Sequence, residues 1–317
     1  MGTKSGVMQW QRLKYVTVDV FTSQRFTGNP VAVILGADGI ADEEMQAIAA
    51  EFRYSETAFL TAPTSACCAA RLRIFTQKDE LPFAGHPNIG AAYVVARLGT
   101  VFGRPIGKSL SFEQRAGVVS IDITLQDGIP LGATLLAPEP YRRLVEVDPA
   151  VVAACVGLED EDIVSQQHRP IIASIGLPIL LTEVRDLESL GRCRPIPEQF
   201  ARHFPRSGAN SIHLYTRTNS GNELQFRARH LSPLDGIWED PATGSANAAL
   251  VALLADLAPA RTMQLQINVK QGVEMGRASA LVATADKYAG KIHAVRIGGD
   301  CIQAMEGIIS IPVRQSS

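Results

Sequence analysis

The chain has 317 residues, of which 46% are hydrophobic and 20% charged, and its formal net charge is −2. That composition supplies ample core for a folded protein, and the length suggests about two domains. With no run of Lys and Arg and a near-neutral balance, neither nucleic acid nor an anionic membrane is an expected partner.

The first stretch, "MGTKSGVMQWQRLKY", lacks the apolar core of a secretory signal. Gly2 brings N-myristoylation to mind, but Gly6 stands where that motif has Ser or Thr. No apolar run reaches the ~18 residues that span a bilayer, so the expected location is cytoplasmic. The five cysteines, Cys67, Cys68, Cys155, Cys193 and Cys301, have neither metal spacing nor a CxxC pair, which points to reduced thiols.

Taken in chain order, short β-rich runs dominate. "KYVTVDVF" and "NPVAVIL" come first, followed by a helix over "ADEEMQAIAAEFRY", which has acidic residues in its first turn. "TAFLTA" and "ARLRIFT" follow, then a helical run in "ELPFAGHPNIGAAYVVARL", then the strand "GVVSIDITL". "DPAVVAACVGL" and "IPEQFARHF" are shorter helical candidates around the strands "PIIASIG" and "PILLTEV". The last third runs through "SIHLYT", "LQFRAR", the helical "NAALVALLADL", "MQLQINV", "SALVATA", "KIHAVRIGG" and "GIISIPV".

Two of these helices differ from the rest. "NIGAAYVVARL" and "NAALVALLADL" are apolar nearly all round, so protein must enclose them on most sides. In a strand-rich chain the enclosing material is sheet. The stretches leading into them also align. "ELPFAGHPNIGAA" sets Glu80, Pro82, Gly85 and Asn88 against Glu239, Pro241, Gly244 and Asn247 of "EDPATGSANAALV", each 159 positions on. An Arg-bearing strand precedes each, "RLRIF" and "FRARH". The chain therefore reads as a duplicated unit with its site in the cleft between two lobes.

A helix N-terminus presents unpaired N–H groups and partial positive charge. Glycines at the two starts, Gly85 and Gly244, let a ligand approach the backbone closely, and two such ends facing one cleft suit a small carboxylate. Plain capping, with Ser245 as an N-cap, is the bland alternative. Three titratable residues gather at these places: His86 in "GHP", Asp240 in "EDP" and Glu56 in "YSETAFL". Taken singly, they read as a structural histidine, a turn former and a solvated carboxylate.

The stretches "DVFTSQRFTGNPVAVI", "YSETAFL", "RIFTQKDELPFAGHPNIGAA", "FRARHLSPLDGIWEDPATGSANAAL" and "QGVEMGRAS", in that order from Val18 to Ser279, resemble the phenazine-biosynthesis PhzF-like family. The resemblance implies an α+β fold of the diaminopimelate epimerase type. In that fold two pseudo-symmetric lobes each wrap a barrel-like, mostly antiparallel sheet around a central buried helix. One lobe would span residues 1–127 with a return segment at 297–317, and the other 128–296. The resemblance also implies an isomerase that needs no cofactor. It would abstract and redeliver a proton on a small carboxylate-bearing substrate akin to dihydro-hydroxyanthranilate, and work as a homodimer. Glu56 falls at the family's acid/base position, His86 and Asp240 at its supporting positions, and Ser55, Gly85, Gly244 and Ser245 at the substrate. The thiol pair used by racemases of this fold is missing from both helix starts, which disfavours a two-thiol racemase. Asn88, Leu231 and Trp238, the last expected near the site, depart from common family residues and leave the substrate open. Another proton-transfer reaction, by an epimerase or dehydratase, and a non-catalytic binding protein remain the alternatives. No P-loop, Rossmann fingerprint or metal cluster suggests a cofactor.

Overall fold

Six α-helices form among residues 10–204, 208–218 and 224–312, the residues that the computed structural model describes. Gly2, Gly6 and residues 313–317 of the expected return segment lie outside them. Helix α1 (Asp42–Phe52) begins with Asp42, Glu43 and Glu44, which oppose the positive end of its dipole, and stops where Arg53 turns left-handed. α2 (Gly85–Leu98) ends at Gly99, whose N–H takes up Val95 O and Ala96 O. α3 (Pro149–Val156) is capped by the Asp148 carboxylate, which accepts from Ala150 N–H. α4 (Leu187–Arg192) is capped in the same way by Asp186. α5 (Pro197–His203) and α6 (Gly244–Leu257) complete the set.

Apart from a small hairpin of Thr100–Val101 and Arg104–Pro105, the described strands form one large sheet, part of which curls around α2. Trp10–Val20 pairs with Asn29–Leu35, and the ladder continues through Thr57–Thr61, Ala70–Phe75, Ser109–Gln114, Gly117–Gln126 and Ile129–Leu136. It closes through Lys291–Pro312, which pairs with both Ile129–Leu136 and Trp10–Val20. The result is an eight-stranded ring with α2 inside. The other end of Lys291–Pro312 pairs with Ser279–Tyr288 and leads into a second run: Met263–Gln271, Gln225–Ser232, Ile212–Arg217, Pro178–Val184 and Ile171–Ser174. This run packs against α6 but stays open, ending among the described residues at Arg142–Glu146.

Both central helices are enclosed, as their all-round apolarity requires. α2 is buried from His86 to Val95, and α6 from Ala246 to Ala255. One continuous core holds Ile89 and Val95 of the first helix together with Leu250, Val251 and Leu253 of the second. Each such side chain contributes roughly 1.5–3 kcal/mol by leaving water. At the far end of α6 the Lys287 ammonium reaches in and donates to Ala255 O, Asp256 O and Ala258 O at 2.9, 3.0 and 2.8 Å. Ala255 O otherwise accepts only the Ala258 N–H at 3.3 Å, so Lys287 acts as a buried cap on the end of the helix.

Several details depart from expectation, among them the strands Ser109–Gln114 and Arg142–Glu146 and the helix Leu187–Arg192, which the pattern did not mark. "KIHAVRIGG" and "GIISIPV" are parts of one 22-residue strand. Ile129–Leu136 is a central strand although Pro130 and Gly132 break its β pattern. Gly132 is required there because a Cβ would sit 2.1 Å from Gly299 O on the neighbouring strand.

The duplication seen in the sequence extends to the side-chain pairs. Arg73 forks onto Glu80 with two bonds of 2.8 Å, and Arg229 onto Glu239 with bonds of 2.9 and 2.7 Å. Asn88 pairs with Gln114, and Asn247 with Gln271. Strand registers correspond as well. Ala58 faces Ile74 as His213 faces His230, and Ile74 faces Leu81 as His230 faces Asp240.

Candidate active site

The starts of α2 and α6 meet. A Cβ on Gly85 would lie 3.8 Å from Gly244 Cα, so the two glycines stand against each other. Neither first turn carries an acidic residue, and neither N-cap residue, Ala84 or Thr243, caps its helix with a side chain. Both positive helix ends therefore point at one place with no acidic residue in their own first turns to offset them. Ser245 is the second residue of α6, not its N-cap; Thr243 holds the cap position.

Glu56, His86 and Asp240 converge on this junction. Glu56 lies just before the strand Thr57–Thr61, and its Oε2 is 3.5 Å from His86 Nε2 in the first turn of α2. Both atoms are buried without an aligned hydrogen-bond partner, and the two side chains are 16% and 7% exposed. The Pro30 backbone acts on the His86 ring and favours its protonated form. A single proton shared between Nε2 and Oε2 would satisfy both atoms.

Burial sets the protonation states. It pushes the His86 imidazole down to about 4, against the opposing pull of Asp240 and of the Pro30 backbone, so His86 is neutral near pH 7. Burial likewise raises the Glu56 carboxyl, with the Ser55 hydroxyl pulling weakly the other way. Asp240 is pushed up to about 6, first by burial and further by the charge of Glu56, against hydrogen bonds from Thr243 and Asn29 and the pull of His86.

A frame that sequence reasoning did not nominate fixes Asp240. Asn29 Nδ2 donates to Asp240 Oδ1 at 2.8 Å and to Ala242 O at 2.9 Å, and Thr243 Oγ1 donates to Oδ2 at 2.6 Å. Asn29 Oδ1 in turn accepts from Ser55 Oγ at 3.5 Å. Gln271 Nε2 holds Asp240 O and Thr243 Oγ1, while its Oε1 takes Thr243 N–H and Asn247 Nδ2. The "QGVEMGRAS" stretch is thus a clamp on "DPATGSA". Ser279 Oγ binds Pro241 O, and at Gly272 (φ +72°) a Cβ would press on Pro241 O at 2.6 Å. Arg277 bonds Gly28 O, Thr27 O and Asp19, tying the "GNP" turn to the same clamp. Signals for Asn29 and Gln271 were present in "GNP" and "QG", but a short polar motif does not reveal what it holds.

Trp238 is not part of this cluster. It is 64% exposed and lines a surface hollow of about 510 Å³ with Arg194, Arg229, Glu239 and Glu274. Leu231 is buried in a separate core with Phe200 and Ile212. Of the cysteines, Cys67 is exposed and the other four are buried; none is among the groups that contact Glu56, His86 or Asp240. No described helix is long and apolar enough to cross a membrane.

Residues 18–307 match the phenazine biosynthesis-like protein family. The chain is 34% identical over 304 residues to an uncharacterized isomerase of Mesorhizobium japonicum, covering 95% of this chain and all of the relative. It is 32% identical over 301 residues to the trans-2,3-dihydro-3-hydroxyanthranilate isomerase of Pseudomonas aeruginosa, covering 93% and 98%. Among solved structures, a PhzF-family phenazine biosynthesis protein from Bacillus anthracis superposes with a TM-score of 0.84. That match covers 95% of this chain and all of the other at 24% identity, a likeness of fold.

Proposed function

The chain belongs to the phenazine biosynthesis-like, or PhzF, family of isomerases, and on that premise we propose that it moves a proton within a small carboxylate-bearing substrate, with Glu56 as acid and base and no cofactor. The observation that carries this reading is the unpartnered pair of Glu56 Oε2 and His86 Nε2, 3.5 Å apart, where two helix N-termini meet.

The substrate carboxylate docks on first-turn N–H groups at Gly85–His86 and Gly244–Ser245. These donors are fixed before the substrate arrives, so they need no reorganisation as charge develops. Glu56 takes a proton from an acidic C–H and returns it to another carbon of the same conjugated system. Its raised pKa suits both roles near neutrality. Neutral His86 accepts at Nε2 and steadies the protonated form of Glu56. Asp240, locked by Asn29 and Thr243, orients a polar group of the substrate. Ser55 holds Asn29 and lies beside the base. The substrate class is that of the Pseudomonas relative's dihydro-hydroxyanthranilate. The two halves act as lobes, 1–127 with 297–317 and 128–296, and the working form is a cytoplasmic homodimer.

The test is exchange in D₂O. With trans-2,3-dihydro-3-hydroxyanthranilate the wild type places deuterium on a product carbon, and Glu56→Gln lowers this by about 10²-fold or more. Near-normal exchange in Glu56→Gln, with complete loss in Asp240→Asn, would give Asp240 the role of base.

A further inference from the structure

The internal duplication supplies a control inside the molecule. In the first half the paired positions Ala58 and Ile74 lie in the dry core, with Leu81 packed against it. At the corresponding places in the second half stand His213, His230 and Asp240. His213 is 0% and His230 6% exposed, and their rings lie 5.7 Å apart. Both nitrogens of His213 and Nδ1 of His230 are buried without an aligned partner.

A second asymmetry points to the same spot. In the first half Asn88 and Gln114 satisfy each other, Nδ2 to Oε1 and Nε2 to Oδ1. In the second half Asn247 Nδ2 again donates to Gln271 Oε1, but the return bond is missing. Gln271 Nε2 serves Asp240 O and Thr243 Oγ1, so Asn247 Oδ1 is left buried and unpartnered. Asn247 acts on the His213 ring, favouring its protonated form without an aligned bond. Four unpartnered buried polar atoms thus gather beside Asp240, in the first turn of α6 and on the strands under it. Leaving such atoms unmet in a core is unfavourable, and the first half shows that this fold packs the place with apolar side chains.

We propose that His213, His230 and Asn247 form a specificity subsite, adjoining Asp240, that receives a hydrogen-bond-donating substituent of the substrate, a hydroxyl or an amine. This rests on the carboxylate-isomerase reading above and adds the recognition of a second substrate group. A neutral imidazole offers one N–H and one lone pair, and the Asn247 carbonyl only accepts. Burial pushes His230 down to about 4 and His213 well below its ordinary range, so the subsite carries no positive charge near pH 7. It therefore does not compete with the helix starts for the carboxylate, and the two ends of a substrate are sorted by chemistry.

The test uses calorimetric binding of benzoate, 2-aminobenzoate, 3-hydroxybenzoate and 3-hydroxyanthranilate. The wild type should bind at least one donor-bearing acid about tenfold more tightly than benzoate. The double variant His213→Ala/His230→Ile, which copies the first half, should lose that preference and keep the affinity for benzoate. His213→Gln, which retains hydrogen-bonding groups in place, should keep part of the preference and guards against misfolding of the double variant. If benzoate binds and no added donor improves on it, or if both variants discriminate as the wild type does, the subsite is refuted while the carboxylate site stands. If no acid binds at all, the carboxylate reading fails first and the subsite with it.

Discussion

Replacing Asp240 by Asn should make the protein more stable above neutrality and less stable near pH 4. The carboxyl is pushed from 3.8 up to about 6, a rise of about two pH units. At about 1.4 kcal/mol per unit, ionised Asp240 costs the folded state roughly 3 kcal/mol. The sign follows from the direction of the shift. Below 3.8 the group is protonated whether folded or not and contributes nothing. Between 3.8 and about 6 the unfolded chain ionises first, so wild-type stability falls as pH rises, and above 6 the cost is complete. Asn keeps an oxygen for Asn29 but turns an amide toward the Thr243 hydroxyl, which costs about 1 kcal/mol. The variant should thus gain about 2 kcal/mol at pH 8 and lose about 1 kcal/mol near pH 4. Urea unfolding of both proteins at a series of pH values measures this. A difference that stays constant across the range would show that Asp240 is not a strained carboxylate and would remove the electrostatic basis for its place in the site.

Lys287→Met should lower stability by about 3 kcal/mol, read as a lower midpoint in urea, because three carbonyls at the end of α6 lose a charged donor; turnover per folded molecule should be unchanged. Mild alkylation should modify Cys67 first, since it is the exposed thiol and its neighbours Ser65 and Cys68 lower its pKa, while isomerase activity persists; rapid inactivation that substrate prevents would contradict the proposed site. Light scattering should give a dimer at micromolar concentration, and a monomer at all concentrations would refute the assembly without touching the chemistry.

The two central helices were legible because their apolarity leaves no solvent face, and the repeat because Glu80, Gly85 and Asn88 recur at one spacing. The three titratable residues were legible as candidates, though their meeting is a product of the fold. What stayed hidden is informative. Gln271 reads like any strand glutamine, and nothing local says that it holds Asp240 and Thr243. The strand Ile129–Leu136 was hidden by the very glycine that its close packing on Gly299 demands. Trp238 sits two residues from Asp240 in sequence but opens onto the surface, and Leu231, next to His230, packs into the core around Phe200 and Ile212. Strand alternation accounts for the second case, since the adjacent residues His230 and Leu231 face opposite sides of their strand.

The long strand Lys291–Pro312 has a bearing on how the molecule is made. Its residues 301–312 pair with Trp10–Val20 near the other end of the chain, and residues 296–300 close the ring on Ile129–Leu136. The ring around α2 therefore cannot shut until the chain has been synthesised well past α6, although most of its other strands emerge early. Loop closure across nearly the whole sequence is slow, and until then the edges of Trp10–Val20 and Ile129–Leu136 stand open to other chains. Such a nascent chain depends on being shielded from its neighbours during the many seconds between making its first strand and its last.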